Sequence, residues 1–114
     1  MEMTFYCDLF ISKDFEKKKE KIISRLRANK LQKSVYIITL AQAEQNNLEF
    51  YSSALLKQHI YDEMPLFIVG IANGYGDAVA MTEEIVSTAY EATGNVDIRN
   101  YILNRQKEFE EGEG

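Results

Sequence analysis

The hydrophobic pattern of residues 3–11, MTFYCDLFI, has a period of two: Phe5, Cys7, Leu9 and Ile11 fall on one side, Thr4, Tyr6, Asp8 and Phe10 on the other. Such alternation predicts a strand with one face in a core. From Ser12 the period lengthens. Phe15, Ile22 and Leu26 recur at helical spacing, with Asp14 and Glu16 in the first turn and Arg25, Arg27 and Lys30 at the far end. That order of charges complements a helix dipole, and Ser12 is a suitable N-cap.

Residues 34–41, SVYIITLA, are apolar at both parities: Val35 and Ile37 on one side, Tyr36, Ile38 and Leu40 on the other. A strand of this kind is covered on both faces, as between two helix layers of a parallel sheet. After the polar link QAEQNN, Asn47 is placed to cap a helix over residues 48–62, with Leu48, Tyr51, Leu55, Leu56 and His59 along one side and Phe50, Ala54 and Tyr61 along another. Met64-Pro65 ends it, because proline disfavours helix in the residue before it.

Residues 66–72, LFIVGIA, predict a third strand, again apolar on both faces. A glycine-rich turn follows, and then Ala78, Met81, Ile85, Ala89 and Ala92 form a stripe of mostly small residues that lets a helix lie close to a sheet. Gly94 closes that helix, and Ile98, Tyr101, Ile102 and Phe109 mark a last one. The predicted order is β-α-β-α-β-α-α: one small α/β domain over residues 1–110, with a three-stranded, mostly parallel sheet flanked by helices and a frayed acidic tail over 111–114.

Composition adds two constraints. The chain is 46% apolar and 27% charged with a single proline, which is globular composition. Its formal charge of -5 is unevenly spread: residues 13–33 carry nine Lys or Arg against three acids, and the residues after Lys33 carry four against thirteen. The basic segment has no interleaved aromatic or glycine-rich recognition motif, so specific nucleic-acid binding is not expected. No apolar run approaches the ~18 residues of a spanning helix, and Glu2 and Asp8 interrupt the first apolar stretch without a preceding basic segment. A cytoplasmic location without membrane attachment is the expectation.

The turn FIVGIANGYGDAVA is the stretch nearest to a chemical motif. It lacks the lysine and hydroxyl of a phosphate-binding G-x-x-x-x-G-K-[ST] loop, and its glycines do not have dinucleotide spacing. Asp77 would compete with an anion for the helix end. The structural reading is that Gly74 and Gly76 take positive φ and Asp77 caps or charge-complements the helix. The alternative is a ligand pocket at the carboxyl ends of the strands, made by Ser12, Thr39, Gln42, Asn73, Gly74, Tyr75, Gly76 and Asp77.

Other chemistry is sparse. His59 is the only histidine and falls on a predicted apolar stripe; Cys7 is the only cysteine, which excludes an intrachain disulfide, and it is expected to be a packed, inert thiol. Asp8, in mid-strand, is expected to guard an exposed edge. No catalytic group, metal-ligand set or cofactor site can be assembled from these residues. The expectation is a non-catalytic interaction or regulatory module whose partner is a second copy or another protein, with a small enzyme or ligand sensor using the strand-end pocket as the alternative.

Overall fold

Four strands form one mixed sheet in the computed structural model, which describes residues 3–30, 32–40, 48–57 and 65–113. They are β1 (Met3–Ile11), β2 (Val35–Leu40), β3 (Leu48–Ser52) and β4 (Leu66–Asn73), in the spatial order β1-β4-β2-β3. A 3₁₀ turn (Lys13–Lys18) leads into α1 (Lys19–Arg27) on one face of the sheet. The other face is covered by α2 (Gly74–Thr93) and α3 (Ile98–Glu113). The protein is therefore mixed α/β with a helix-flanked sheet, as its pattern predicts. The sheet has four strands rather than three, and β1 with β4 is its single parallel pair.

The difference originates in residues 48–52. LEFYS carries a period of two as readily as a helical one: Leu48 and Phe50 pack toward α2, and Tyr51 toward α1. Short apolar runs are ambiguous in this way. What decides is β2, whose amides and carbonyls on the side away from β4 would be costly to leave unpaired within a buried sheet. β3 pairs with it antiparallel, from Tyr36 opposite Ser52 to Leu40 opposite Leu48. The helix expected over 48–62 is thus corrected to a strand and a short 3₁₀ turn (Ser53–Lys57). Residues 41–47 and 58–64, including Gln42, His59 and Tyr61, lie outside the described residues.

Within β2 the predicted alternation holds. Val35 and Ile37 pack with Phe15, Ile22 and Leu26, while Ile38 and Leu40 pack with Ala78, Met81, Ile85 and Ala89 of α2 and Ile98 and Ile102 of α3. β1 and β4 are less regular. Phe5 pairs with Ile68 but Phe10 with Gly70, so β1 bulges between them. The bulge turns Cys7 to the α2 and α3 side with Tyr6, away from the face it was expected to share with Phe5, Leu9 and Ile11. The Cys7 amide, freed from the ladder, donates to Gln106 Oε1 of α3 at 2.7 Å.

A second irregularity lies in β4. Ile38 pairs with Gly70 and Thr39 with Ile68, which leaves Val69 as an extra residue and reverses the parity of the strand beyond it. Gly70 therefore faces both bulges, and a Cβ there would stand 2.7 Å from Met81 Sδ and 3.3 Å from Ile38 Cδ1. Glycine at this point lets the Met81 and Ile38 side chains approach the strand closely. At the start of β2, Ser34 holds φ 65 and presents its carbonyl to the Gly74 amide at 2.7 Å.

Gly70→Ala should cost about 1–3 kcal/mol of stability by overpacking. Ser34→Gly should add about 0.4–1 kcal/mol by relieving a left-handed conformation that serine tolerates poorly. Urea midpoints at constant slope measure both.

Candidate functional site

Parallel pairing of β1 with β4 brings their carboxyl ends together, and with them Ser12 and the turn at Asn73–Asp77. Ser12 is the buried centre of this group. Its hydroxyl donates to Asp77 Oδ2 at 2.9 Å and accepts from the Asn73 amide at 2.8 Å, while its own amide donates to the Ile71 carbonyl at 3.0 Å. The Asn73 side chain reaches Asp14 Oδ2 at 3.3 Å. Six of the expected pocket residues, Ser12, Asn73, Gly74, Tyr75, Gly76 and Asp77, therefore meet at one end of the sheet.

Thr39 does not join them. Because β2 runs against β4, Thr39 pairs with Ile68 near the opposite end of the strand, where it is 1% exposed. Its hydroxyl oxygen has no hydrogen-bond partner among the described residues. Gln42 lies outside them.

The turn itself is structural in its details. Gly74 takes φ 88, as expected, but Gly76 does not share the left-handed region and belongs to the first turn of α2. Asn73, not Asp77, occupies the N-cap position, and no side chain caps there. Asp77 stands in the first turn, where its charge complements the dipole and the Ser12 hydroxyl holds it. The amides of Asn73 and Gly74 are already bonded to Ser12 and Ser34. The adjoining groove between the 3₁₀ turn and α2 is lined by Glu16, Asp77 and Glu84 against the single cation Lys13, an environment that opposes an anion.

Family models, curated proteins and solved structures were each compared with the chain, and none matches it.

Cys7 and Asp8 sit at the β1 bulge beside α3. Burial pushes the Cys7 thiol above its ordinary pKa, and the neighbouring Asp8 carboxylate adds to the effect; such a thiol is a poor nucleophile at neutral pH. Asp8 is exposed and pairs with Arg105, Nε to Oδ2 2.8 Å. It stands on an edge strand, in keeping with a guarding role. Among the described residues no group of three His, Cys, Asp or Glu could hold a metal, and no helix is long and apolar enough to cross a membrane.

Two surfaces were not foreseen. One is an aromatic group at the β3 end of the sheet, where Tyr75 meets Tyr36 (ring centroids 6.3 Å) and Phe50 (5.6 Å), both edge-on. The signal was in the helical spacing of α2, one residue out of step with the buried stripe. The other is a groove beside α1, lined by Lys18, Lys21, Arg25 and Lys33 over Phe15, Ile22 and Val35. Its cations were legible as a basic segment, but not the groove.

Ser12→Ala should cost about 1–3 kcal/mol, since it leaves the Asn73 amide and the Asp77 carboxylate without their partner. Gly74→Ala should cost about 1 kcal/mol or more from the positive φ. Gly76→Ala, in a helical turn with open space around it, should be neutral or stabilise by up to about 1 kcal/mol. Thermal melting of the three variants separates these outcomes.

Proposed function

We propose that this protein is a non-catalytic interaction module that works as a homodimer, two copies packing antiparallel through α2. The observation that carries this reading is a charge-free stripe on one flank of the helix: Tyr75, Val79, Thr82, Val86 and Tyr90. At helical periodicity these five positions fall within an arc of about 80°. Tyr75 is 64% and Tyr90 54% exposed, so both ends of the stripe stand in water. The Thr82 hydroxyl donates to the Ala78 carbonyl at 2.8 Å and so makes no demand for an outside partner.

The stripe continues onto the sheet. Tyr75 packs on Tyr36 and Phe50, and Phe50 and Leu48 are half-buried on the same side of β3. α3 lies on the other flank of α2, toward β1, and among the described residues no second helix lies beside α2 over β3. A stable dimer buries about 1,200–2,000 Å² in total, which calls for the helix flank and the adjoining β3 surface together.

A second copy is the occupant that fits, because the stripe reads Tyr-Val-Thr-Val-Tyr in either direction. A two-fold axis half a residue past Thr82, between it and Glu83, sets Tyr75 against Tyr90 and Val79 against Val86, the self-complementarity that an isologous interface requires. Antiparallel helices also bring opposite dipole ends together. The strand-end pocket offers less support for a sensor or enzyme, since its polar groups already serve one another.

Light scattering on the full chain at about 50 µM should give twice the 13.1 kDa of one copy. The double variant Tyr75→Lys, Tyr90→Lys sets like charges opposite one another across the axis and should give the single-chain mass with the fold intact. A single-chain mass for the unmodified protein, or an undiminished dimer in the variant, contradicts the reading.

A further inference from the structure

The face of the sheet opposite α2 carries a different surface. After α1 the chain returns along the helix to β2, and between them lies a groove of about 300 Å³. Phe15, Ile22 and Val35 make its apolar floor, and buried Gln32 closes one side, its Nε2 donating to the Ile22 carbonyl at 3.3 Å. Lys18, Lys21, Arg25 and Lys33 form the rim, and among the described residues no acid lines it. All four are exposed, and none has an ion-pair partner among the described residues.

We infer that this groove binds an acidic, aromatic-bearing peptide segment of a partner protein. Lys18, Lys21 and Arg25 are spaced three and four residues apart, so they stand in a row about 10 Å long rather than converging on one point. A row of separated cations matches successive carboxylates along a peptide, and the apolar floor between them takes an aromatic or aliphatic side chain. A single phosphate would be met by only one or two of the four. Nucleic acid is the poorer match: among the described residues no exposed aromatic ring lines the groove to stack a base. The site lies on the face away from the α2 stripe, so it does not depend on dimer formation; in a dimer each copy would keep its groove open.

The test is fluorescence anisotropy with a labelled peptide of sequence Glu-Phe-Glu-Glu-Glu-Leu-Glu-Glu, titrated with the full-length protein. Saturable binding with a Kd of about 100 µM or tighter is expected at low salt, weakening as salt rises. The double variant Lys21→Glu, Arg25→Glu changes only exposed side chains; its binding should fall at least about tenfold while its melting profile and its mass in light scattering stay unchanged. The same peptide with glutamine in place of every glutamate should not bind. No saturation of the unmodified protein, equal binding by the variant or equal binding of the glutamine peptide would overturn the inference. Displacement of the peptide by equimolar inorganic phosphate would overturn it in favour of a small-anion site, and tighter binding of a labelled single-stranded oligonucleotide in favour of nucleic acid.

Discussion

The bare backbone of Gly70 lets the Met81 side chain of α2 lie against β4, where an added Cβ would stand 2.7 Å from its sulfur. Gly70 faces the two places where the sheet departs from regular pairing, the bulge in β1 and the extra residue in β4. Ala78 and Ala89, both fully buried, keep the rest of the helix equally near the sheet. With α2 drawn down over β4 and β2, α3 takes the remaining place beside β1, where Gln106 and Arg105 satisfy the Cys7 amide and the Asp8 carboxylate that the bulge releases. The flank of α2 from Tyr75 to Tyr90 is left above β3 with, among the described residues, no other helix of its layer beside it.

The sheet thus separates two surfaces of different character. On the α2 side the available surface is aromatic and β-branched, without charge along the stripe, and suits a contact made by apolar burial. On the α1 side it is a groove ringed by cations, and suits a contact in which charge selects the partner and apolar burial seats it. The Ser12 hydroxyl joins the start of α2 to the end of β1, and the Ser34 carbonyl holds the Gly74 amide, so the turn that most resembles a ligand site is a joint between elements.

Much of this was legible in the chain. β2, with its strict alternation of Val35 and Ile37 against Tyr36, Ile38 and Leu40, and α2, with its small buried stripe, follow from period alone. The grouping of Ser12 with Asn73, Gly74 and Asp77 followed from placing both at strand ends. Three features did not follow. LEFYS fits two periods, and only the pairing needs of β2 choose between them. Thr39 is misplaced as soon as β2 is taken to run parallel, because reversal of a strand moves each residue to the opposite end of the sheet. Cys7 changes face because of a bulge, which leaves no mark in a pattern of alternating residues.

The α2 stripe was also readable, yet it is overshadowed by the stronger apolar run one residue ahead of it, and its meaning depends on which flank faces β3. The central claim is that two copies meet along that flank about an axis beside Thr82. Thr82→Cys in a Cys7→Ser background tests it most directly, because a residue half a step from a two-fold axis lies beside its own copy, close to the roughly 3.5–4.5 Å between Cβ atoms that a disulfide requires. Under mild oxidation this variant should convert to a covalent dimer in dilute solution, while Glu84→Cys in the same background, exposed on the outer side of α2, should not. Failure of Thr82→Cys to cross-link, or equal cross-linking of both variants, would contradict the account.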